Sequence, residues 1–460
     1  MKPKADSSHY RTKLSERVLY GIYGVGLSIF FVVISMFLQQ YYVTNMAVPP
    51  AMIAIVFLIG KIWDAINDPL FGVIVDKAPL KGGKYLPWMR IATFLLPFTV
   101  ILLFFVPASF SAIAKSAYLL VAYILFDAAC TMTEVPYFAI TTAMTDLPKE
   151  RSLVISISKF IGTSLAVVVL FIPAMYGSIG WKPTMAIFAF LAMATMLPGC
   201  FAIKERFNSS QGESPSMTSI LKYIKGNKYL QIFFLSAIFY GITNTPGGVG
   251  NFLAIYMLGG DAMIVPLILV SFVPGLLAIV IVQSLLGKFD KVHIKLVTLA
   301  VTGLTSAIMY FTGYENMPLM LILSAIRGFS AGAHTMLFFL FAPDCAEYGA
   351  YSSGIHAEGA TFAIQSFASK MISAIAGSVG LLLLGWFGFK EGLGVVQSDS
   401  AKHGIWILYT IFPVIGIIIQ AFILKFFYKL RDKDVAVMGK ANTGEITRAE
   451  AEALLGGKER

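Results

Sequence analysis

Residues Ala51–Val75 read AMIAIVFLIGKIWDAINDPLFGVIV, an apolar run of 25 residues with Lys61, Asp64, Asn67 and Asp68 set inside it. A helix needs about 20 predominantly apolar residues to cross a hydrocarbon core about 30 Å thick, so this run is long enough to span a bilayer. Ionisable side chains inside a span cost at least a few kcal/mol each, so they pair, face an interior cavity or line a solute path. Asp64 and Asp68 are four residues apart with Asn67 beside them, which gathers several oxygen ligands on one helix face. Hard monovalent cations favour such oxygens, and two close carboxylates that resist double ionisation can alternatively hold a proton. The competing reading is a static pairing of both acids with Lys or Arg on another helix.

The rest of the chain repeats this plan. Its 460 residues are 57% hydrophobic and only 13% charged, with a mean hydropathy of +0.77, so most of it belongs in lipid. Apolar runs predict six spans in the first half, near residues 18–42, 51–75, 86–106, 114–143, 153–175 and 183–203. Six more follow near 229–257, 262–286, 294–311, 318–342, 359–386 and 404–428. The predicted fold is all-α, with two six-helix bundles at 1–204 and 229–430, a linker at 205–228 containing NSSQGESPS, and a tail at 431–460. In that tail Thr447 stands three residues before Glu450, a capping box with Gly456 as a stop, which predicts one short helix.

The net charge of +10 falls in the gaps between runs, which reads as topogenic charge and not as a nucleic-acid surface. Arg11, Lys13 and Arg17 precede the first run, Lys77, Lys81 and Lys84 follow the second, Lys149 and Arg151 the fourth, Lys204 and Arg206 the sixth, and Lys288, Lys291 and Lys295 the eighth. The gaps at 43–50, 107–111 and 259–261 hold no Lys or Arg, so both termini are expected in the cytoplasm of a multi-pass inner or plasma membrane protein. The first run is too long for a signal-peptide core and is expected to remain as a helix. Cys130, Cys200 and Cys345 lie singly with no metal-like spacing and read as reduced packing residues.

The fourth run adds Asp127, Thr131, Glu134 and Pro136. Thr131 and Glu134 share a face: the hydroxyl can complete the oxygen set of the second helix, and the carboxylate can bond solute hydroxyls. A bond from Thr131 to its own helix backbone is the alternative. Lys159 in the fifth run and Lys370 in the eleventh imply a nearby carboxylate or an anionic solute group, since a lone buried ammonium would lose its proton. His334 reads more readily as a packing histidine than as a pocket residue. Gly247, Gly248 and Gly250 suit bending or close packing, because no strand precedes them as a phosphate loop requires.

The segments TKLSERVLYGIYG at 12–24, WDAINDP at 63–69, GGKYLPW at 82–88, EVPYFAITTAMTDLPKERS at 134–152, DCAEYGAYSSGIHAEG at 344–359 and FASKMISAIAG at 367–377 together resemble the glycoside/pentoside/hexuronide cation symporters. These form the melibiose-permease-like branch of the major facilitator superfamily. The resemblance implies a cation site of Asp64, Asn67, Asp68 and Thr131, the set the residues themselves suggest. It implies a sugar site of Glu134, Phe138, Lys159, Gln365 and Lys370, with Ser28 where melibiose-type members carry an acid. Those members also have Trp at Phe138 and Arg at Lys159. Loss of one acid with retention of two lysines shifts the expectation from a galactoside toward an anionic sugar such as a hexuronide. Asp344, Glu347, His356 and Glu358, between the tenth and eleventh runs, resemble the family's charged latch, with a solvated loop as the other reading.

The expected activity is therefore cation-coupled sugar symport by alternating access, with Na⁺ or H⁺ as the coupling ion, no cofactor, and one chain in the bilayer as the functional unit. A membrane enzyme acting on a glycoside is disfavoured, because no HExxH or GxSxG motif is present and the two acids lack a His partner. A sugar sensor is disfavoured by a tail too short for an output domain.

Overall fold

The structure, a computed structural model, describes residues 10–77, 80–145, 147–207, 223–286, 288–354, 358–392 and 394–456. The inter-bundle stretch at 208–222 and His356 lie outside them. Among the described residues, 12 helices are long and apolar enough to cross a membrane. In the first half they are α1 (Leu14–Leu38), α2 (Pro50–Gly72), α3 (Leu86–Phe104), α4 (Ala112–Met144), α5 (Leu153–Ile179) and α6 (Trp181–Ala202). In the second they are α7 (Lys228–Met257), α8 (Asp261–Leu285), α9 (Lys291–Thr312), α10 (Met317–Ser353), α11 (Ile364–Trp386) and α12 (Asp399–Phe426). Side-chain oxygens of Ser111, Asn227, Asp290, Asn316 and Ser398 cap the starts of α4, α7, α9, α10 and α12, satisfying backbone N–H groups that the first turn leaves open.

The chain forms two compact units, one ending at Gly212 and joined by Lys390–Val395, the other holding the remaining second-half residues. In the first unit α1 packs on α5 and α6, α3 on α4 and α6, and α2 on α4. In the second, α7 packs on α11 and α12, α9 on α10 and α12, and α8 on α10. Each pairing recurs six helices later, so the same six-helix solution is built twice. The α8–α10 contact depends on glycine: a Cβ on Gly332 would collide with the backbone of Gly275.

The repeat extends to how the third helix of each unit begins. In the first unit the carboxylate of Glu205, just past α6, accepts N–H bonds from Lys84 (2.8 Å), Tyr85 (2.8 Å) and Leu86 (2.7 Å) at the start of α3. In the second, Asp432, just past α12, accepts the Lys291 N–H at 3.2 Å at the start of α9. An anion at a helix N-terminus satisfies open donors and complements the helix dipole.

Several spans are interrupted where the sequence pattern reads them as continuous. α7 breaks between Thr243 and Thr245, and α12 between Tyr409 and Phe412. Backbone groups freed inside a membrane must find partners within the protein. Accordingly Arg327 of α10 donates to the Tyr409 carbonyl at 2.7 Å; beside the break in α7, Gln420 donates to the Thr243 side-chain hydroxyl at 2.7 Å. Arg327 also lies over the Tyr409 ring, 4.2 Å from its centre.

Two expectations from the pattern change. The tenth helix does not stop at 342 but runs through Pro343 to Ser353, so Asp344 and Glu347 stand on its last turns and not in a loop. Proline removes one helix hydrogen bond, yet Phe341, Ala342, Asp344 and Cys345 are all buried, and packing on that scale outweighs one lost bond. The tail holds two helices, α13 (Asp432–Asn442) and α14 (Arg448–Leu455). The second has the expected Thr447–Glu450 capping box and Gly456 stop. The first has few apolar residues and packs on the end of α10, a stretch that the sequence pattern reads as loop.

Candidate functional site

On α4 the residues Tyr123, Asp127, Thr131, Glu134 and Phe138 recur at spacings of three and four, forming one stripe along the helix. On α2, Gly60, Lys61, Asp64, Asn67 and Asp68 form the facing stripe. The two helices meet closely at Gly60, where a Cβ would strike the Tyr123 ring. The Phe57 and Tyr123 rings lie 5.2 Å apart at the same level.

Deeper along this seam Lys61 Nζ pairs with Asp64 Oδ2 at 3.2 Å, within electrostatic reach of Asp127 and Tyr123. Asp64 and Asp127 are each 6% exposed, so their charge is held by neighbouring groups and not by bulk water. One turn on, Asn67 Nδ2 donates to Thr131 Oγ1 at 2.8 Å, and that hydroxyl donates to Asp68 Oδ1 at 2.9 Å. The sequence reading gave Lys61 and Asp127 no role. Their signal was present, since both are ionisable inside predicted spans and sit at helical spacing from Asp64 and Thr131.

The remaining first-half candidates lie around Tyr137. Its ring stacks on Tyr20 of α1 with centres 4.4 Å apart, and its hydroxyl bonds the Ser158 hydroxyl of α5. Tyr137 thereby ties α1, α4 and α5 together between Glu134, which is half-buried, and Phe138, which is 43% exposed. Lys159 follows Ser158 on α5, but its side chain lies outside the described residues. Ser28 donates its hydroxyl to Gly24 O of its own helix at 2.8 Å, beside Gly162 of α5.

In the second unit Gln365 is buried and donates to the Phe338 carbonyl of α10 at 3.1 Å. Lys370 is half-buried on α11. At one end of this unit Asp344 pairs with Lys291 at 2.6 Å, and Lys291 also reaches Asp432 at 3.4 Å. Asp290 pairs with Arg431 at 3.3 Å, while Glu347 accepts from Asn442 of α13 at 2.8 Å. Asp344 and Glu347 thus hold the tail helix and the start of α9 against α10. Glu358 opens the helix that continues into α11, and its side chain, like His356, lies outside the described residues. His334 is buried at 1% exposure among Thr302, Tyr240 and Lys295. Lys295, counted from sequence as a loop charge, is itself buried within α9.

Outside the spans, the first unit closes on Glu150. Burial opposes ionisation of its carboxyl, but hydrogen bonds from the Thr12 hydroxyl and N–H, the Thr145 hydroxyl and the Arg11 N–H outweigh this and hold it down at about 2. Arg17 adds an ion pair at 3.0 Å, and Glu16 pairs with Arg206 at 2.7 Å.

Comparison with known proteins fits this arrangement. The family model described as MFS/sugar transport protein matches residues 19–432. The chain is 26% identical over 455 residues to the isoprimeverose transporter of Lactiplantibacillus pentosus, covering 95% of this chain and 93% of that one. It is 25% identical over 426 residues to the glucuronide carrier protein homolog of Escherichia coli, covering 90% and 92%. Among solved structures it resembles the nucleoside transporter NupG at a TM-score of 0.65 and 13% identity, covering 91% of this chain and 100% of that one. Twelve membrane-spanning helices, a doubled six-helix plan and a family match over nearly the whole length agree: this chain is a multi-pass membrane protein that belongs to the MFS/sugar transport protein family.

Proposed function

We propose that this protein is a cation-coupled sugar symporter in which Asp64, Asn67, Asp68 and Thr131 bind the coupling ion, Na⁺ or H⁺. The observation that carries this reading is the Thr131 hydroxyl, which joins Asn67 and Asp68 across the α2–α4 seam. An ion arriving there finds a carboxylate, an amide and a hydroxyl already drawn together, with Asp64 one turn away. Its charge relieves the repulsion between the two acids and orders Glu134, one turn beyond Thr131 on α4. Coupling follows if the empty and the doubly loaded carriers change conformation readily and the singly loaded one does not.

In this proposal the sugar-binding residues are Ser28, Glu134, Phe138 and Lys159 of the first unit and Gln365 and Lys370 of the second. Ser28 spends its hydroxyl on its own backbone and brings no charge, so this residue set carries more positive character than one with an acid at that position. An anionic sugar of the hexuronide type matches this balance, while relatives of comparable identity are named for both a glucuronide and the neutral isoprimeverose. Both termini lie in the cytoplasm, one chain suffices, and Asp344, Glu347, His356 and Glu358 act as the inner latch.

Uptake of a panel of neutral and acidic sugars into proteoliposomes, under imposed Na⁺ or H⁺ gradients, tests the proposal. Accumulation of a sugar driven by one of these gradients supports it. Equal uptake with and without either gradient overturns the coupling, and preference for neutral glycosides over uronides overturns the substrate class.

A further inference from the structure

Inside the second unit lies a small cavity lined by Lys295, Tyr240, Ser236, Gln420, Phe233 and Phe338, none of them assigned to cation or sugar, with Gln365 bonded to the Phe338 carbonyl. It has room for a water-sized occupant. Lys295 is 5% exposed and, among the described residues, pairs with no carboxylate. Its ammonium contacts the face of the Tyr240 ring, 4.7 Å from the centre, and reaches the His334 carbonyl at 3.5 Å. Asp344, on the adjoining α10, is taken by Lys291, one turn earlier on α9. A ring face and one long carbonyl contact offset only part of the cost of burying a full positive charge.

Buried polar groups are nearly always satisfied by protein, water or a bound ion. Around Lys295 the protein supplies an ammonium and a serine hydroxyl, donors that suit an anion and not a metal ion.

We infer that Lys295 and this cavity form an internal binding site for one small inorganic anion, such as chloride. The anion neutralises the ammonium between α7, α9, α10 and α12 and makes the packing of these four helices depend on the anion present. The space admits a halide and excludes a sugar.

Purified full-length protein tests this with radiochloride binding, together with thermal melting in chloride against gluconate at fixed cation concentration. Saturable binding of about one chloride per chain, a melting temperature that rises with chloride, and binding about tenfold or more weaker in Lys295→Met are expected. Lys295→Arg keeps the charge and should keep the chloride response. Absence of saturable binding to the unmutated protein overturns the inference whether or not the variants fold. So does a Lys295→Met protein that binds chloride like the parent. Stabilisation by phosphatidylglycerol that chloride does not reproduce would assign the charge to a lipid headgroup and also overturn it.

Discussion

Thr131 on α4 donates its hydroxyl to Oδ1 of Asp68 on α2 at 2.9 Å. That bond makes the threonine an ion-site residue only if the hydroxyl proton can turn away and leave its oxygen as a ligand. Serine can do this and valine cannot. Thr131→Val should therefore weaken cation stimulation of sugar binding by about tenfold or more, and Thr131→Ser should restore most of it. Titration of sugar binding against Na⁺ and against pH reads both variants.

Asp68→Asn keeps an acceptor for Thr131 but removes the charge. Cation-driven accumulation should be lost, while exchange of sugar across the membrane survives. Full gradient-driven uptake by Asp68→Asn would remove Asp68 from the coupling mechanism.

Lys61 holds Asp64 at 3.2 Å with Asp127 close by. Lys61→Met would strand buried carboxylates, and breaking a buried pair from one side costs about 3–5 kcal/mol. A marked drop in melting temperature is expected, with Lys61→Arg recovering most of it. An unchanged melting temperature in Lys61→Met would mean that the pair contributes little.

Glu150 gives the first unit a pH dependence. Its carboxyl ionises at about 2 in the fold against 4.5 for the free side chain. A depressed acid stabilises the folded form above the free value, and that contribution disappears as pH falls from 4.5 towards 2. Denaturant unfolding at about pH 3 and near neutrality should show the loss, and Glu150→Gln should show less stability near neutrality with a smaller acid dependence.

Glu205 accepts three N–H groups at the head of α3. Replacement by Ala should cost about 0.5–2 kcal/mol, the usual range for a lost helix cap, and Glu205→Asp should recover part of it. Thermal melting of the two proteins side by side measures the difference.

The spans were legible in the sequence because hydrocarbon thickness imposes a length that few other structures need. The oxygen cluster on α2 was legible because acids inside a span are conspicuous. What escaped reading depended on packing between distant segments. Pro343 looks like a stop until buried neighbours on both sides of it are known. Arg327 has its purpose only once α12 is seen to break at Tyr409, 82 residues away. Lys295 looks like one more basic residue in a loop, since nothing local distinguishes it from Lys291, four residues earlier. The same holds for Lys61, whose partners on α4 are brought to it by the close approach at Gly60.

The carboxylates of Glu205 and Asp432 also bear on the order in which the molecule can be completed. During synthesis α3 leaves the ribosome well before Glu205, which lies 120 residues beyond Tyr85, and α9 waits in the same way for Asp432, 141 residues beyond Lys291. Each third helix enters the membrane with an open head and is closed only when its own half of the chain has been made. The newborn first half can therefore finish and lock before the second half exists, and a polypeptide severed within the central polar stretch, past Glu205, would leave two fragments that each carry their own final fastening.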